Sequence, residues 1–253
     1  MPLLSTEAIV LHVFDYSETS RILRLATRDA GVVSALARGA RRTKSRFGSA
    51  LDLFAQGTAQ LYLKEGRELQ TMSAFDVTHA RPALGTDLGR FASASALVEL
   101  VLRFGMGDAS EDLFAVLADA LDGIASAAPD AASEAGLAAA WRLVAHLGFS
   151  PALTICSVCH TELALDGDVA FSHRAGGSLC QTCAALYARD RTLPAAARAS
   201  IVAWSNGRRT SALTARDARA HQRLLREFLH EHLADGRALR ALDAWEHGGW
   251  SAP

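Results

Sequence analysis

All four cysteines of this 253-residue chain lie in two C-x₂-C pairs, Cys156 with Cys159 and Cys180 with Cys183. A C-x₂-C turn lets two sulfur atoms reach one ion about 2.3 Å away. The twenty residues between the pairs are long enough for a hairpin that brings the pairs together. The spacing therefore predicts one Zn²⁺ ion held by four thiolates.

Four thiolates close the coordination shell, whereas a catalytic zinc site usually keeps three protein ligands and an open position. An H-x-E motif of the kind used by nucleobase deaminases is present at residues 160–162. It follows the first cysteine pair directly, no proline precedes either pair, and its histidine would be a fifth ligand. We therefore expect a structural zinc, with His160 and His173 as hydrophilic residues on the zinc hairpin.

The overall composition favours a protein of the cell interior. Basic and acidic residues nearly balance, at 26 and 27, so net charge indicates no partner. The first twenty residues do not resemble a signal peptide, and no stretch approaches the roughly 20 apolar residues that span a bilayer. We expect a soluble, cytoplasmic protein without a membrane partner, in a compartment where paired thiols bind metal more readily than they form disulfides.

The elements that position these residues change in character near residue 80. Residues 1–77 contain about five short β-rich runs, with turn signals at residues 29–31 and 64–67. So many strands in so few residues favour a small barrel over an open sheet. We therefore predict a β-barrel domain at residues 1–80.

Helical spacing of apolar residues dominates the rest of the chain. It predicts helices at about 84–104, 110–127 and 132–147, and helical spacing resumes after Pro194. The predicted fold is multidomain α+β: a barrel, then a helical domain at 81–253 with an inserted four-cysteine zinc-binding element at about 152–188.

A basic segment lies between two of the predicted strands, at residues 38–46. It carries five cations in nine residues and no acid: Arg38, Arg41, Arg42, Lys44 and Arg46. Small and hydroxylated neighbours suit a solvated loop that approaches a phosphate backbone. The adjacent Phe47 could stack on a base, although a single aromatic residue is more often part of a core. Because OB-type barrels commonly bind single strands, we favour nucleic-acid binding over a loop that binds nothing.

No catalytic motif is evident in the sequence. It has neither a Walker-type phosphate loop nor a G-x-S-x-G nucleophile elbow. His221, His230 and His232 lie in a predicted helix, where surface or capping roles are favoured over a second metal site. We expect a protein that carries out no chemical step.

Several sequence segments, in the same order along the chain, resemble the RecO family of bacterial DNA repair proteins. They are TEAIVL at 6–11, DYSE at 15–18, RIL at 21–23, RGARR at 38–42, FG at 47–48, LDLF at 51–54, the two C-x₂-C pairs, LLREFL at 224–229 and GRALR at 236–240. This resemblance covers essentially the whole chain.

The resemblance implies an N-terminal OB-fold, a central helical bundle and a zinc-binding element packed on the helices. It implies a recombination mediator that binds single- and double-stranded DNA and anneals complementary strands. Such a protein works with RecR, and in some settings RecF, to load RecA onto DNA coated by single-stranded-DNA-binding protein, whose C-terminal tail it binds. The implied location is the cytoplasm, in association with the nucleoid.

The family's basic DNA-binding residues correspond to the five cations of the basic segment. Arg21 and Arg24 lie on opposite faces of one predicted strand, so we expect only one of them to join a DNA-binding face. Two other classes remain open. A zinc-dependent enzyme would need an open coordination site, and a zinc-ribbon transcription regulator would need sequence-specific duplex contacts.

Overall fold

The structure is a computed structural model that describes residues 2–43, 45, 47, 51–105, 111–189, 191–233 and 238–247. The chain forms two compact units. One comprises Met1–Asp87 with Leu97–Ser126, and the other comprises Leu88–Ala96 with Ala127–Pro253. The division into domains at 1–80 and 81–253 stays a prediction.

Within the described part of the chain, five strands form a closed barrel in the order β1-β2-β3-β5-β4. The strands are β1 (Leu3–Tyr16), β2 (Ser20–Thr27), β3 (Gly31–Ala37), β4 (Gln56–Tyr62) and β5 (Leu69–His79). Strands β3 and β5 pair in parallel, and the other neighbours pair antiparallel. The predicted small OB-like barrel is confirmed.

The barrel interior is filled by alternating apolar side chains from every strand, as the period of two requires. Buried members include Leu23, Leu25, Leu61 and Met72. Phe47 belongs to the same cluster and is only 2% exposed, so its ring is a core residue and not a stacking surface. The core alternative favoured for Phe47 is therefore confirmed.

Strand β1 contains a β-bulge that changes which residues face outward. Val10 pairs with Leu25 and His12 pairs with Arg24, so Leu11 has no counterpart on β2. A bulge puts two residues of one strand opposite one residue of its partner. Residues of β1 after Leu11 therefore face the opposite way from the alternation set by the first half of the strand.

Helices follow the barrel, as predicted. They are α1 (Pro82–Thr86), α2 (Leu88–Phe104), α3 (Glu111–Ser126) and α4 (Ala132–His146), close to the predicted bounds. The cysteine segment contributes β6 (Val169–Ser172), β7 (Gly177–Leu179) and α5 (Gln181–Leu186), and it is followed by β8 (Arg191–Leu193), α6 (Ala195–Ser205), α7 (Ala215–Leu233) and α8 (Arg240–His247). Among the described helices, none combines the length and apolar character needed to cross a bilayer.

The core of the second unit includes two fully buried tryptophans, Trp141 and Trp204. The indole N–H of Trp204 donates to the buried carboxylate of Glu134 at 2.9 Å. The ring of His221 packs edge-on against Trp204 at 4.9 Å, and burial lowers its pKa to about 4. The expected surface role of His221 is therefore wrong, because its apolar helix face carries it into the core.

Arg81 joins the barrel to helix α3 within the first unit. Its guanidinium group is almost fully buried and donates to the Phe54 carbonyl at 2.9 Å, to Gln56 Oε1 at 2.8 Å and to Asp122 Oδ1 at 2.6 Å. A buried cation requires such a complete set of acceptors, because an unpaired one would carry a large desolvation penalty. Arg81 therefore fixes the exit of the chain from β5.

Replacing Arg81 with Met should lower the free energy of unfolding of the first unit by about 2–3 kcal/mol, since several charge-assisted hydrogen bonds are lost and a buried carbonyl is left without its donor. Urea denaturation measures this change. Arg28→Met is the matched control, because Arg28 pairs with Glu7 and Glu111 in a more solvated setting and should lose less stability. Equal losses in the two variants would contradict the anchoring role of Arg81.

Candidate metal centre and nucleic-acid interface

The structure brings the four predicted metal ligands together. The Sγ atoms of Cys156, Cys159, Cys180 and Cys183 all lie within 4.8 Å of one another. Those of Cys159 and Cys180 are 3.7 Å apart. A tetrahedron with Zn–S bonds of about 2.3 Å has edges of about 3.8 Å, so the cluster has the dimensions of a four-thiolate zinc site.

Two local turns place these sulfur atoms. In the first, the His160 amide donates to the Cys156 carbonyl at 2.9 Å, and His160 adopts a left-handed φ of 60°. In the second, Cys180 caps helix α5, and its sulfur accepts from the Cys183 amide at 3.4 Å. Each C-x₂-C pair is therefore shaped by backbone hydrogen bonds of its own turn.

The electrostatics of the cluster favour a bound cation. Burial opposes ionisation of Cys156, but the backbone N–H groups of Cys159, Cys180 and Val158 outweigh it and lower the pKa of Cys156 to about 6. Burial and the neighbouring thiols raise the pKa of Cys183. Four thiolates this close repel one another, and a divalent cation removes that repulsion. The residues present therefore fit a Zn²⁺ ion.

The two histidines of the zinc hairpin have different environments. His160 is exposed and shapes the turn after Cys159, which leaves the H-x-E motif outside the thiol cluster. His173 is only 7% exposed, and its Nε2 lies 3.3 Å from Glu227 Oε2 on α7. Its carbonyl oxygen also lies 2.7 Å from His232 Nε2. His173 therefore lies on the hairpin and outside the thiol cluster, as expected, but it is buried between the hairpin and α7.

The first half of the basic segment lies in the turn after β3. Arg38, Arg41 and Arg42 are exposed there. The Arg41 amide donates to the Thr19 carbonyl at 3.0 Å, and its guanidinium group donates to the Ser17 carbonyl at 3.3 Å. These bonds fasten the turn to the β1–β2 hairpin. The other two predicted DNA-binding residues, Lys44 and Arg46, lie outside the described residues.

Arg21 and Arg24 face opposite sides of strand β2, as the alternation predicts. Arg21 lies on the interior side at the end of the barrel, where it pairs with Asp15 at 3.4 Å. Arg24 lies on the outer face opposite His12. Burial and then the nearby Arg24 charge lower the pKa of His12. Of the two arginines, Arg24 is therefore the one on the outer face of the barrel.

An exposed aromatic row on the same outer face was missed by sequence reasoning. Phe14 and Tyr16 are 48% and 51% exposed, and the ring of His12 lies 4.1 Å from that of Phe14. The spacing of two between these residues was a signal that they share one face of a strand. Which face they share depends on the bulge at Leu11.

A closed OB-like barrel with an arginine-rich turn, followed by helices and a four-thiol hairpin, defines a multidomain α+β protein of the OB-fold class. Comparison with known proteins makes the assignment specific. The family model described as "Recombination protein O N terminal" matches residues 1–81, and "Recombination protein O C terminal" matches residues 85–241. These matches cover most of the chain.

Individual relatives agree with this assignment. The chain is 34% identical over 239 residues to the DNA repair protein RecO of Anaeromyxobacter sp. (strain K), with 92% of each chain covered. It is 35% identical to that of Symbiobacterium thermophilum, with 72% of each chain covered. For Pelotomaculum thermopropionicum the identity is 35%, over 74% of this chain and 71% of the relative. The chain belongs to the recombination protein O family of DNA repair proteins.

Purified protein should contain about one zinc ion per chain by elemental analysis, because the thiol cluster matches the ligand set and dimensions of a structural site. Cys159→Ser should lower the zinc content and the melting temperature of the second unit, since metal binding stabilises the folded hairpin. Ser157→Ala, in the same turn, is the matched control and should retain zinc. Folded wild-type protein with no zinc and all four thiols free to react would contradict the assignment.

Proposed function

We propose that the protein is a recombination mediator in DNA repair. It would bind single- and double-stranded DNA through the barrel, anneal complementary strands and, with RecR, help to load RecA onto single strands coated by single-stranded-DNA-binding protein. Family membership over most of the chain carries this proposal. The exposed arginines after β3 are the observation that supports DNA as the ligand.

The basic segment supplies the affinity in this proposal. Arg38, Arg41 and Arg42 are exposed, and the segment contains no acid. The hydrogen bonds from Arg41 to the β1–β2 hairpin preorganise the start of the segment for DNA binding. Phosphate contacts of this kind carry no sequence information, so the protein would bind single strands and duplexes of any sequence.

Annealing would need no chemical step. Two complementary strands repel each other because both are polyanions, and a protein that neutralises phosphates lowers that repulsion and raises their local concentration. The cations of the basic segment would act as bound counterions. We propose that the protein is not an enzyme on this basis.

The proposed Zn²⁺ ion has a structural role. It would supply a multivalent cross-link between the two cysteine turns, and the four thiolates would leave no open position for substrate. The contact between His173 and Glu227 would then attach the ordered hairpin to α7. The partners proposed for this family member are RecR, the C-terminal tail of single-stranded-DNA-binding protein and, indirectly, RecF and RecA, in a nucleoid-associated cytoplasmic setting.

The function is tested by strand annealing on complementary single strands that are covered with the cognate single-stranded-DNA-binding protein. We expect annealing to accelerate when the protein is added, and to accelerate less when the coating protein lacks its C-terminal tail. Annealing at the same rate with and without the protein would contradict the proposal. Preference for one duplex sequence over random single strands would favour a transcription regulator instead.

Replacing both Arg41 and Arg42 with Ala should weaken DNA binding about equally for all sequences. If the segment neutralises about five phosphates of a single strand, the log–log salt dependence has a slope of roughly −3.5, and the double variant should flatten it by about one to two units. Titrations at several salt concentrations measure both effects.

The control is the double variant Arg216→Ala/Arg219→Ala, which removes the same charge from an exposed face of α7. It should keep the wild-type slope. Unchanged affinity and salt response in the Arg41/Arg42 variant would remove the basic segment from the binding site.

A further inference from the structure

The outer face of the β1–β2 hairpin carries aromatic side chains in a position where a soluble barrel normally places polar ones. His12, Phe14 and Tyr16 alternate along β1 on this face, and Phe14 and Tyr16 are about half exposed. On the neighbouring strand β2, Ile22 pairs with Phe14 of β1 on one side and with Leu36 of β3 on the other. The row therefore forms a continuous apolar strip on an outer surface.

The bulge at Leu11 is what exposes this strip. Ala8, Val10 and then Val13 point into the barrel, so His12 and Phe14, the neighbours of Val13, face outward. Without the extra residue, the alternation from Val10 would have turned Phe14 inward. Bulges that re-aim side chains in this way are frequent next to functional sites.

The local order of the rings suits flat ligands. The His12 and Phe14 rings are 4.1 Å apart and tilted by 30°, so Phe14 is already supported on one side. A ring with a fixed orientation loses less conformational entropy when a ligand covers its other face. Phe14 and Tyr16 lie about 7 Å apart along the strand, roughly twice the spacing of stacked bases in a helix. Bases on this row must therefore be splayed apart, which only an unpaired strand permits.

The charge around the strip is complementary to a phosphate backbone. Arg24 lies opposite His12 on the same outer face, and the Arg41 turn is bonded to the hairpin just beyond Tyr16. Asp15, on the other face, is paired with Arg21 and with Arg41 at 3.7 Å. A strand that leaves the aromatic row therefore passes directly to the exposed arginines of the basic segment.

We propose that the outer face of the β1–β2 hairpin, with Phe14 and Tyr16 as stacking residues, binds the unpaired bases of single-stranded DNA. This inference rests on the proposed function, and it adds a binding element that distinguishes single strands from duplexes. The arginines contact phosphates in both forms of DNA, whereas the aromatic row contacts bases that a duplex keeps stacked. Stacking on aromatic side chains tolerates any base, so the element confers strand selectivity without sequence selectivity.

The test compares two strands of equal charge: an oligothymidine of roughly 20 nucleotides and an abasic sugar–phosphate chain of the same length, longer than one OB barrel covers. Wild-type protein should bind oligothymidine about tenfold more tightly or better than the abasic chain. Phe14→Ala/Tyr16→Ala should lose most of this preference and keep the wild-type salt slope and duplex affinity. The variant should fold normally, because both side chains are about half exposed.

Two controls separate stacking from general effects. Tyr62→Ala removes an exposed aromatic ring from β4, opposite Leu3 at the other end of β1, and should keep the base preference. Phe14→Trp/Tyr16→Phe keeps the aromatic faces and should also keep it.

The outcomes distinguish this inference from the function on which it rests. A wild-type protein that binds and anneals DNA without a base preference overturns the stacking site alone, as does an unchanged preference in Phe14→Ala/Tyr16→Ala. A wild-type protein that binds neither strand overturns the proposed function together with the stacking site.

Discussion

The double pairing of strand β1 is the constraint on which the barrel depends. Its first half pairs with β4 and its second half with β2, so a single strand closes the barrel. If side chains alternated without interruption along β1, Val13 in its second half would point away from the barrel interior. The extra residue at Leu11 shifts the register and turns Val13 inward. Closure, interior packing and the outer aromatic row are thus consequences of one unpaired residue.

Closure also determines how the basic segment is presented. Ala40, within the segment, and Phe47, directly after it, belong to the barrel core, so both positions are fixed to the interior. The Arg41 amide and guanidinium group donate to the Thr19 and Ser17 carbonyls of the β1–β2 hairpin, which adds a further attachment. A segment fixed in this way loses less freedom on contact with phosphate than a free loop would. The expected solvated loop is in this respect better described as an anchored turn with exposed arginines.

Patterns local in sequence predicted much of this architecture. The cysteine spacing predicted the thiol cluster, and periodicity predicted the barrel and the bounds of α2, α3 and α4. The missed features depend on contacts between residues far apart in sequence. His173 meets Glu227, and His221 meets Trp204, only after the helices pack. The bulge at Leu11 is equally hidden, because Leu11 only continues the apolar run of Ile9 and Val10 and carries no sign that it lacks a partner on β2.

The hairpin that holds the cysteines shows why a metal suits this position. Its buried cluster consists of Leu179 with Cys156 and Cys183, and partly buried side chains surround it. So little apolar area cannot offset the conformational entropy of ordering two turns and three short strands. Two of the three buried members are themselves candidate metal ligands, so thiols make up most of this cluster. A bound Zn²⁺ ion would replace the missing core and would stabilise the Cys183 thiolate, whose pKa is raised by burial and then by the neighbouring thiols. A closed four-thiolate shell would leave no open position for catalysis but would make the ion effective as a cross-link, in keeping with the proposal that the barrel recognises DNA.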